Sequence, residues 1–489
     1  MSAAALSGLT GYQAAAPFRR TAASALFLLI LAGILAIAPF RWTVAVVLVI
    51  ALAIVAAIRP AVGLILIAVA IPWGNTLGSL PIRGVGLVDV LVGATLVAWL
   101  ARSVAQREIQ IEIAVLFWPL LVFIWVAAAS LVDAASWQYG LPEWLKWAEF
   151  AALYVVGLQV LGRRLALVVV AALLVAGISQ SVLGAYQFLT QTGPEGFILM
   201  GRFMRSHGTL GQPNPYAGYL GYLAPVAAAI TVTALGMWRN TGRPRDLVTC
   251  IICAGTAFAL VAGILMSWSR GAWLGLSAGL LVVFGLTSRR SALIALLAVS
   301  VLILVVAVAG IGWLPDSIEG RVQDLGSYTG NLDPAKTEIT DENFSVLERL
   351  AHWQAGRLMF EHEPWLGVGI GNYSAYYDRY AQPYWYDPLG HAHNVFINFL
   401  AETGILGLGA FVTFWMAVAF SLSRRVWRGC QAWEKALAVG LLGTWMYLTT
   451  HSLFDNLFVG HMQLQLALLL AALFALRRPP NVPAFPTLQ

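Results

Sequence analysis

His391-Ala-His393-Asn394-Val-Phe-Ile-Asn398-Phe-Leu-Ala-Glu402-Thr-Gly404-Ile-Leu-Gly407, continuing Leu-Gly-Ala-Phe-Val-Thr-Phe-Trp-Met-Ala-Val-Ala-Phe420, opens an apolar helix directly after the only long polar segment of the chain. A run this long and this apolar suits a helix that crosses a bilayer. Asn394, Asn398 and Glu402 recur at intervals of four and so share one helical face. Polar groups at membrane depth are costly and turn toward a protein interior or a cavity. His393 stands at the mouth of this helix, where a general base could meet a substrate carried in the membrane.

The same pattern repeats outward from this stretch. The 489 residues are 60% hydrophobic and 11% charged, with a mean hydropathy of +0.78, whereas a soluble protein carries about 25% charged residues. Apolar runs predict spans over 21–40, 43–58, 61–73, 85–101, 113–132, 147–161, 165–189, 214–236, 247–266, 270–288, 291–314, 394–420, 433–453 and 460–476. The run 21–40 lacks a small-residue cleavage site and is followed by further spans, so it reads as the first span and not as a signal peptide. The fold class is therefore all-α, a polytopic helical integral membrane protein of about 12–14 transmembrane helices. Three regions follow: N-terminal spans over 1–190, a second membrane region over 191–476 that includes a long loop at 315–392, and a tail at 477–489.

Basic residues outnumber acidic ones 29 to 23, but they gather in alternate short loops, the pattern of membrane orientation and not of nucleic-acid binding. Arg19, Arg20, Arg59, Arg102, Arg107, Arg163, Arg164, Arg239, Arg243, Arg245, Arg289, Arg290, Arg424, Arg425, Arg428, Lys435, Arg477 and Arg478 fall on one side. The short loops of the other side hold only Arg41, Arg83, Lys146, Arg202, Arg205 and Arg270. The positive-inside rule then places both termini in the cytoplasm and the 315–392 loop outside.

Within that loop, residues 345–361 carry apolar positions at helical spacing and predict an amphipathic helix lying on the membrane surface. Pro364-Trp-Leu-Gly-Val-Gly-Ile-Gly-Asn372 breaks it. No strand-turn-helix context surrounds these glycines, so they read as a tight turn and not as a dinucleotide site. Tyr373, Tyr376, Tyr377, Tyr380, Tyr384, Trp385 and Tyr386 follow. They read as an interfacial aromatic belt, with a platform for sugar rings as the alternative. Cys250 and Cys253 form a C-x-x-C with no second pair, inside an apolar run, and read as two small helix residues.

The groups able to do chemistry gather on the outer side. Arg202, Arg205 and His207 lie in the 190–213 loop; Arg270 lies between two spans; His391 and His393 end the long loop; His451, Asp455, Asn456 and His461 occupy the last outer turn. Arginine at the lip of a membrane cavity suits a diphosphate, because its planar guanidinium grips two oxygens at once. Histidine, with an ordinary pKa of ~6.5, takes a proton near neutral pH. His391 and His393 with His451 or Asp455 also allow a zinc reading, although nothing fixes the three or four ligands zinc requires.

These residues resemble the O-antigen ligase and polymerase superfamily of bacterial membrane glycosyltransferases. That family's signature is a histidine, then Asn, Ser or Gln, nine residues, a glycine, two residues, and Gly, Thr or Tyr. Here it reads His393-Asn394, nine residues to Thr403, Gly404, two residues, Gly407. Ser269-Arg270-Gly271-Ala-Trp-Leu-Gly275 is similar to one arginine segment of the family. Arg205 with Gly208 and Pro213-Asn214 is similar to another, and Pro364–Asn372 to the turn after the loop helix. The resemblance spans residues 200–460. It implies a glycan donor on undecaprenyl diphosphate, presented at the periplasmic side of the inner membrane, and a lipid- or glycan-borne acceptor. It implies that Arg205 and Arg270 hold the diphosphate and that His393 is the catalytic base. Asn394, Glu402, Gly404, Gly407, His391, His451 and Asp455 would support it. The configuration would invert, and no nucleotide sugar, cofactor or metal is implied. Some members of the superfamily have been labelled bicarbonate carriers, so transport of a small anion is the alternative. A transporter calls for internal repeats and helices broken at the midplane, and the sequence displays no such repeat.

Overall fold

The computed structural model describes residues 50–74, 86–106, 114–199, 201–293, 297, 332–340, 343–428 and 431–477. The expected span 21–40, the start of 43–58, nearly all of 291–314, the loop up to residue 331 and the tail from 478 lie outside these residues. The described chain is almost wholly helical: α1 Pro60–Ala70, α2 Leu87–Ala105, α3 Phe117–Ala129, α4 Trp137–Val160 and α5 Arg163–Thr190. A two-stranded hairpin, β1 Ile198–Leu199 and β2 Phe203–Met204, comes next. It is followed by α6 Pro213–Gly221, α7 Ala224–Thr241, α8 Pro244–Met266, α9 Arg270–Thr287, α10 Phe344–His362, α11 Tyr373–Tyr377, α12 Val395–Trp427, α13 Ala432–His451 and α14 Gln463–Ala475.

Among the described residues, six helical stretches are long and apolar enough to cross a membrane: Leu87–Ala105, Arg163–Thr190, Pro213–Thr241, Pro244–Met266, Arg270–Thr287 and Val395–Trp427. The protein is a multi-pass membrane protein of the all-α class. Val97, Trp118, Trp125, Val182, Ile251, Phe258 and Phe420 are each more than half exposed, forming an apolar skin suited to lipid. Inside, helices close on small residues, as membrane helices do. A Cβ added to Gly279 of α9 would stand 2.7 Å from the Gly443 carbonyl of α13. An aromatic cluster fills the centre: Phe399 and Phe411 of α12 lie 4.4 Å apart, Phe123 of α3 meets Trp147 of α4 at 5.0 Å, and Trp147 meets Phe458 at 5.3 Å. Each such pair contributes about 0.5–1.5 kcal/mol beyond its burial, and Trp147→Ala would cost roughly 3–5 kcal/mol.

The structure corrects one expectation, that of a surface-lying loop helix, and shows two expected spans to be kinked. The expected span 214–236 is present within Pro213–Thr241 and is kinked at Tyr222 and Leu223. Pro225 has no N–H, and its ring clashes with the carbonyl four residues earlier, which kinks the stretch there. The loop helix does form, as α10, but its stripe of Leu347, Ala351, Ala355 and Met359 is buried against the protein and is not free to lie on a membrane surface. The span opening at Asn394 is interrupted at Gly404, which has φ 63° and ψ −167°.

This interruption is built by the turn after α10. Val368 N–H donates to the Ala401 carbonyl at 3.0 Å and Gly369 N–H to that of Glu402 at 2.9 Å. In return, Ile405 N–H donates to Pro364 O at 2.9 Å and Leu406 N–H to Trp365 O at 3.3 Å. Backbone groups freed by the break are thus satisfied from the loop. Gly367, Gly369 and Gly371 have φ of 67°, 99° and 75°, so the expected tight turn is present and uses the left-handed region that glycine alone enters freely.

Candidate functional site

Arg205 follows β2 directly, and the loop carrying it is pinned to α5. Gln187 Oε1 accepts from Gly208 N–H at 2.7 Å and His207 N–H at 3.1 Å, while Gln180 Oε1 accepts from Thr209 N–H at 3.0 Å. Arg205 then reaches across the bundle end, donating through Nε to the Ser267 carbonyl at 2.9 Å and through Nη2 to Asn214 Oδ1 at 3.1 Å. Arg270 is the first residue of α9, and its Nη2 donates to Ser345 Oγ at 2.6 Å. Both guanidinium groups therefore reach one cleft. It encloses ≈ 430 Å³ including its open mouth, and is lined by Arg205, Asn214, Trp268, Ser269, Arg270, Gly271, Ser345, Arg349, His451 and Phe454.

Arg349 is the residue that sequence reasoning missed. It lies on α10, where Nη1 donates to Ser345 O at 2.6 Å and Nε to Phe454 O at 3.0 Å. These bonds fix a third guanidinium on the cleft wall. Arg202, by contrast, is exposed beside Phe203 and does not line the cleft. His207 packs on Phe197 and also stands outside it.

The turn after α13 joins the cleft to the histidines. His451 and Phe454 line the cleft, and the neighbouring Asp455 is buried. Asp455 Oδ1 lies 3.4 Å from His393 Nδ1 and 3.8 Å from His391 Nε2. Burial alone would raise the Asp455 carboxyl, but its contact with His393 and the charges of His391 and Arg349 outweigh burial and hold it well below the usual carboxylate range. His391 is pushed down to about 4 by burial, helped by the neighbouring His393. Its Nδ1 accepts from His393 N–H at 3.1 Å, so the neutral ring carries its proton on Nε2, facing Asp455. The side chain of His393 meets Asp455 at a charge-attraction distance without hydrogen-bond alignment, and neither ring nitrogen has a hydrogen-bond partner among the described residues. Its backbone, at φ 51°, lies in the left-handed region, which costs of order 1–3 kcal/mol for a residue with a side chain and recurs at functional sites. Trp268 on the cleft shares this conformation, at φ 53°.

The ring of His393 also meets His352 of α10 edge-on at 5.4 Å. Burial pushes His352 down to about 3, and Tyr373 and Tyr377 stack around it. Those two tyrosines are fully buried and belong to neither an interfacial belt nor an open sugar platform; Tyr384 and Tyr386 are the exposed members of the run. Glu348 lies on the same helix, its carboxyl raised by burial, with His393 partly offsetting that.

The remaining expected residues brace the backbone. Asn394 caps α12, accepting from Phe396 N–H at 2.9 Å and donating to Leu453 O at 3.0 Å; such a cap contributes about 1 kcal/mol. Asn398 accepts from Ala392 N–H at 3.0 Å, and Glu402 from Tyr373 N–H at 3.1 Å. Asn398 and Glu402 thus turn to the loop backbone, whereas Asn394 stands before the helix as its cap and reaches the turn after α13. Gly407 leaves room for Thr403, whose Oγ1 would stand 2.0 Å from any Cβ there. His451 Nε2 lies 3.4 Å from Ser269 Oγ. Cys250 and Cys253 are free and buried in α8. The ligating atoms of His391, His393 and Asp455 lie within 4.8 Å of one another, close enough for the three to hold a metal ion together.

No match was found among curated proteins. A stretch that begins in α8 and ends in α12, and so takes in Arg270, Arg349 and His393, matches the family model described as O-antigen ligase: residues 255–412 are an O-antigen ligase domain.

Proposed function

We propose that the protein transfers a glycan from undecaprenyl diphosphate to an acceptor hydroxyl at the outer face of the bacterial inner membrane. One observation carries this reading: three arginines line a single cleft, and the turn that closes it presents Asp455 to His393. The distribution of arginines between alternate loops supports the outer placement of the cleft and cytoplasmic termini.

The step balances on these groups. The acceptor O–H gives its proton to the His393 ring, and its oxygen attacks the anomeric carbon of the donor from the face opposite the diphosphate. The bond from that carbon to the diphosphate oxygen breaks, and its electron pair leaves on the diphosphate. Arg205, Arg270 and Arg349 meet the charge that develops there, which is worth most where fixed donors are already aimed at it. Asp455 orients the imidazole and stabilises the imidazolium that forms. The inverted configuration follows from single attack. His391 and His352 stay neutral at pH 7 and add no positive charge to the centre.

Purified protein in liposomes, given an undecaprenyl-diphosphate-linked glycan and candidate acceptors, tests this. The expected result is one lipid diphosphate released per acceptor glycosylated, with inversion, and loss of both products in Arg270→Ala. Uptake of labelled bicarbonate without glycan transfer would replace the enzyme with a carrier.

A further inference from the structure

A second cluster of ionisable side chains lies apart from the cleft, where α2, α4 and the turn before α14 meet. His461 Nε2 is 2.9 Å from Asp89 Oδ1 and 3.8 Å from Glu149 Oε2, and the ligating atoms of the three lie within 4.8 Å of one another. None of the three lines the arginine cleft.

The cluster is preorganised and electrostatically incomplete. Gly86 N–H donates to Asp89 Oδ2 at 2.6 Å, which fixes that carboxylate and leaves Oδ1 toward His461. Glu149 Oε2 is buried and has no hydrogen-bond partner among the described residues. Lys146, on the same helix as Glu149, is turned instead to Glu143 Oε2 at 2.5 Å and to the Phe458 carbonyl at 3.4 Å. Two carboxylates therefore face one ring nitrogen, which can offer them a single proton. A buried acceptor left without a donor is destabilising, and more so when charged.

We propose that Asp89, Glu149 and His461 bind one divalent transition-metal ion, zinc being the best fit. One imidazole nitrogen with two carboxylate oxygens is a donor set for zinc or manganese; calcium and magnesium prefer oxygen alone. Tetrahedral zinc with bonds of about 2.0–2.2 Å sets its ligands about 3.3–3.6 Å apart, between the two separations of 2.9 and 3.8 Å seen here. The fourth position is left for water. Each ligand comes from a different element, so the ion would staple α2 and α4 to the 452–462 turn. That turn also carries Asp455, six residues before His461. The ion is thus a fastener for the segment that holds the His393 partner, and it takes no part in the transfer step.

The test uses the full-length protein in detergent, stripped with chelator and then titrated with zinc chloride. Bound zinc is counted, and zinc-edge X-ray absorption reports its ligands. The expected result is about one ion per chain with a single imidazole in its shell. Glu149→Gln should weaken binding by more than the roughly 10–100-fold typical of losing an outer-shell partner, while Asp455→Asn should keep it. A shell with two imidazoles, or binding lost in Asp455→Asn but kept in Glu149→Gln, would place the ion on His391 and His393 and overturn the proposal. Absence of bound zinc, with manganese chloride failing as well, would overturn it too. The wild-type absorption spectrum decides between the sites even where Glu149→Gln does not fold.

Discussion

Replacing Asp455 by Asn removes one charge and leaves the shape of the turn intact. The carboxylate stands 3.4 Å from His393 Nδ1. When His393 takes the acceptor proton, an imidazolium forms beside it. At an effective dielectric of about 20, the attraction over that distance is roughly 5 kcal/mol, which is a ceiling. The Asn dipole and neighbouring groups recover part of it, so a loss of about 2–4 kcal/mol of transition-state stabilisation is expected, or about 30- to 1000-fold in rate. The arginine cleft is untouched, so the loss should fall on kcat and leave KM for the lipid donor nearly unchanged. The assay is steady-state transfer by wild type, Asp455→Asn, His393→Ala and the double variant, each checked for melting temperature. Because Asp455 acts through His393, the double variant should be little worse than His393→Ala alone. Wild-type turnover in Asp455→Asn, or full multiplication of the two losses in the double variant, would refute this reasoning.

The sequence displays what is local. The spacing from His393 through Gly404 to Gly407 is legible because one helix carries it, and Arg270 is conspicuous because almost no loop surrounds it. Arg349 is not, since it sits inside the apolar rhythm of Leu347, Ala351 and Ala355 and there reads as an ordinary solvated position. Its role appears only when the fold lays α10 across the start of α9, with Ser345 taking bonds from both arginines. The four-residue spacing of Asn394, Asn398 and Glu402 reads as a shared face, yet periodicity cannot say that Asn394 is instead the cap, nor what the face of Asn398 and Glu402 meets. It meets the loop backbone at Ala392 and Tyr373. Gly404 is likewise visible as a letter of the pattern, but its break depends on carbonyls from Pro364 and Trp365, which no helical period encodes. The surface-lying reading of α10 fails for the same reason: an apolar stripe fits a protein groove as well as a membrane.

Arg349→Gln should lower transfer by about 10- to 100-fold, the worth of a charge-assisted phosphate bond at about 1.5–3 kcal/mol, and Arg270→Lys should recover little over Arg270→Ala, because a point charge cannot replace a two-pronged grip; unchanged transfer in Arg349→Gln would remove it from the site. Acid should destabilise the protein, since the folded values of His391 and His352, about 4 and about 3, lie below the ordinary 6.5, so the unfolded chain takes up protons first. Stability is complete above pH 6.5, and each histidine forfeits up to about 2 kcal/mol by pH 5; Asp455, depressed below its own ordinary value, adds nothing in that window, and a melting temperature flat from pH 7 to 5 would contradict this. With Cys250, Cys253 and Cys430 replaced, a cysteine at Glu338 should react with an impermeant thiol reagent outside intact cells and one at Asn240 should not; the reverse would invert the orientation. Gly404→Ala should destabilise the fold severely, for two separate reasons. The backbone at φ 63° and ψ −167° is a region only glycine occupies freely, and the new Cβ would stand 2.3 Å from the Trp365 carbonyl carbon. Strain and overpacking together cost on the order of 2–5 kcal/mol. Gly409→Ala is the control, five residues along the same helix, where a Cβ meets nothing within 4 Å; it should be neutral or add up to about 1 kcal/mol. Equal melting temperatures for the two variants would mean that the loop does not dock into the helix break.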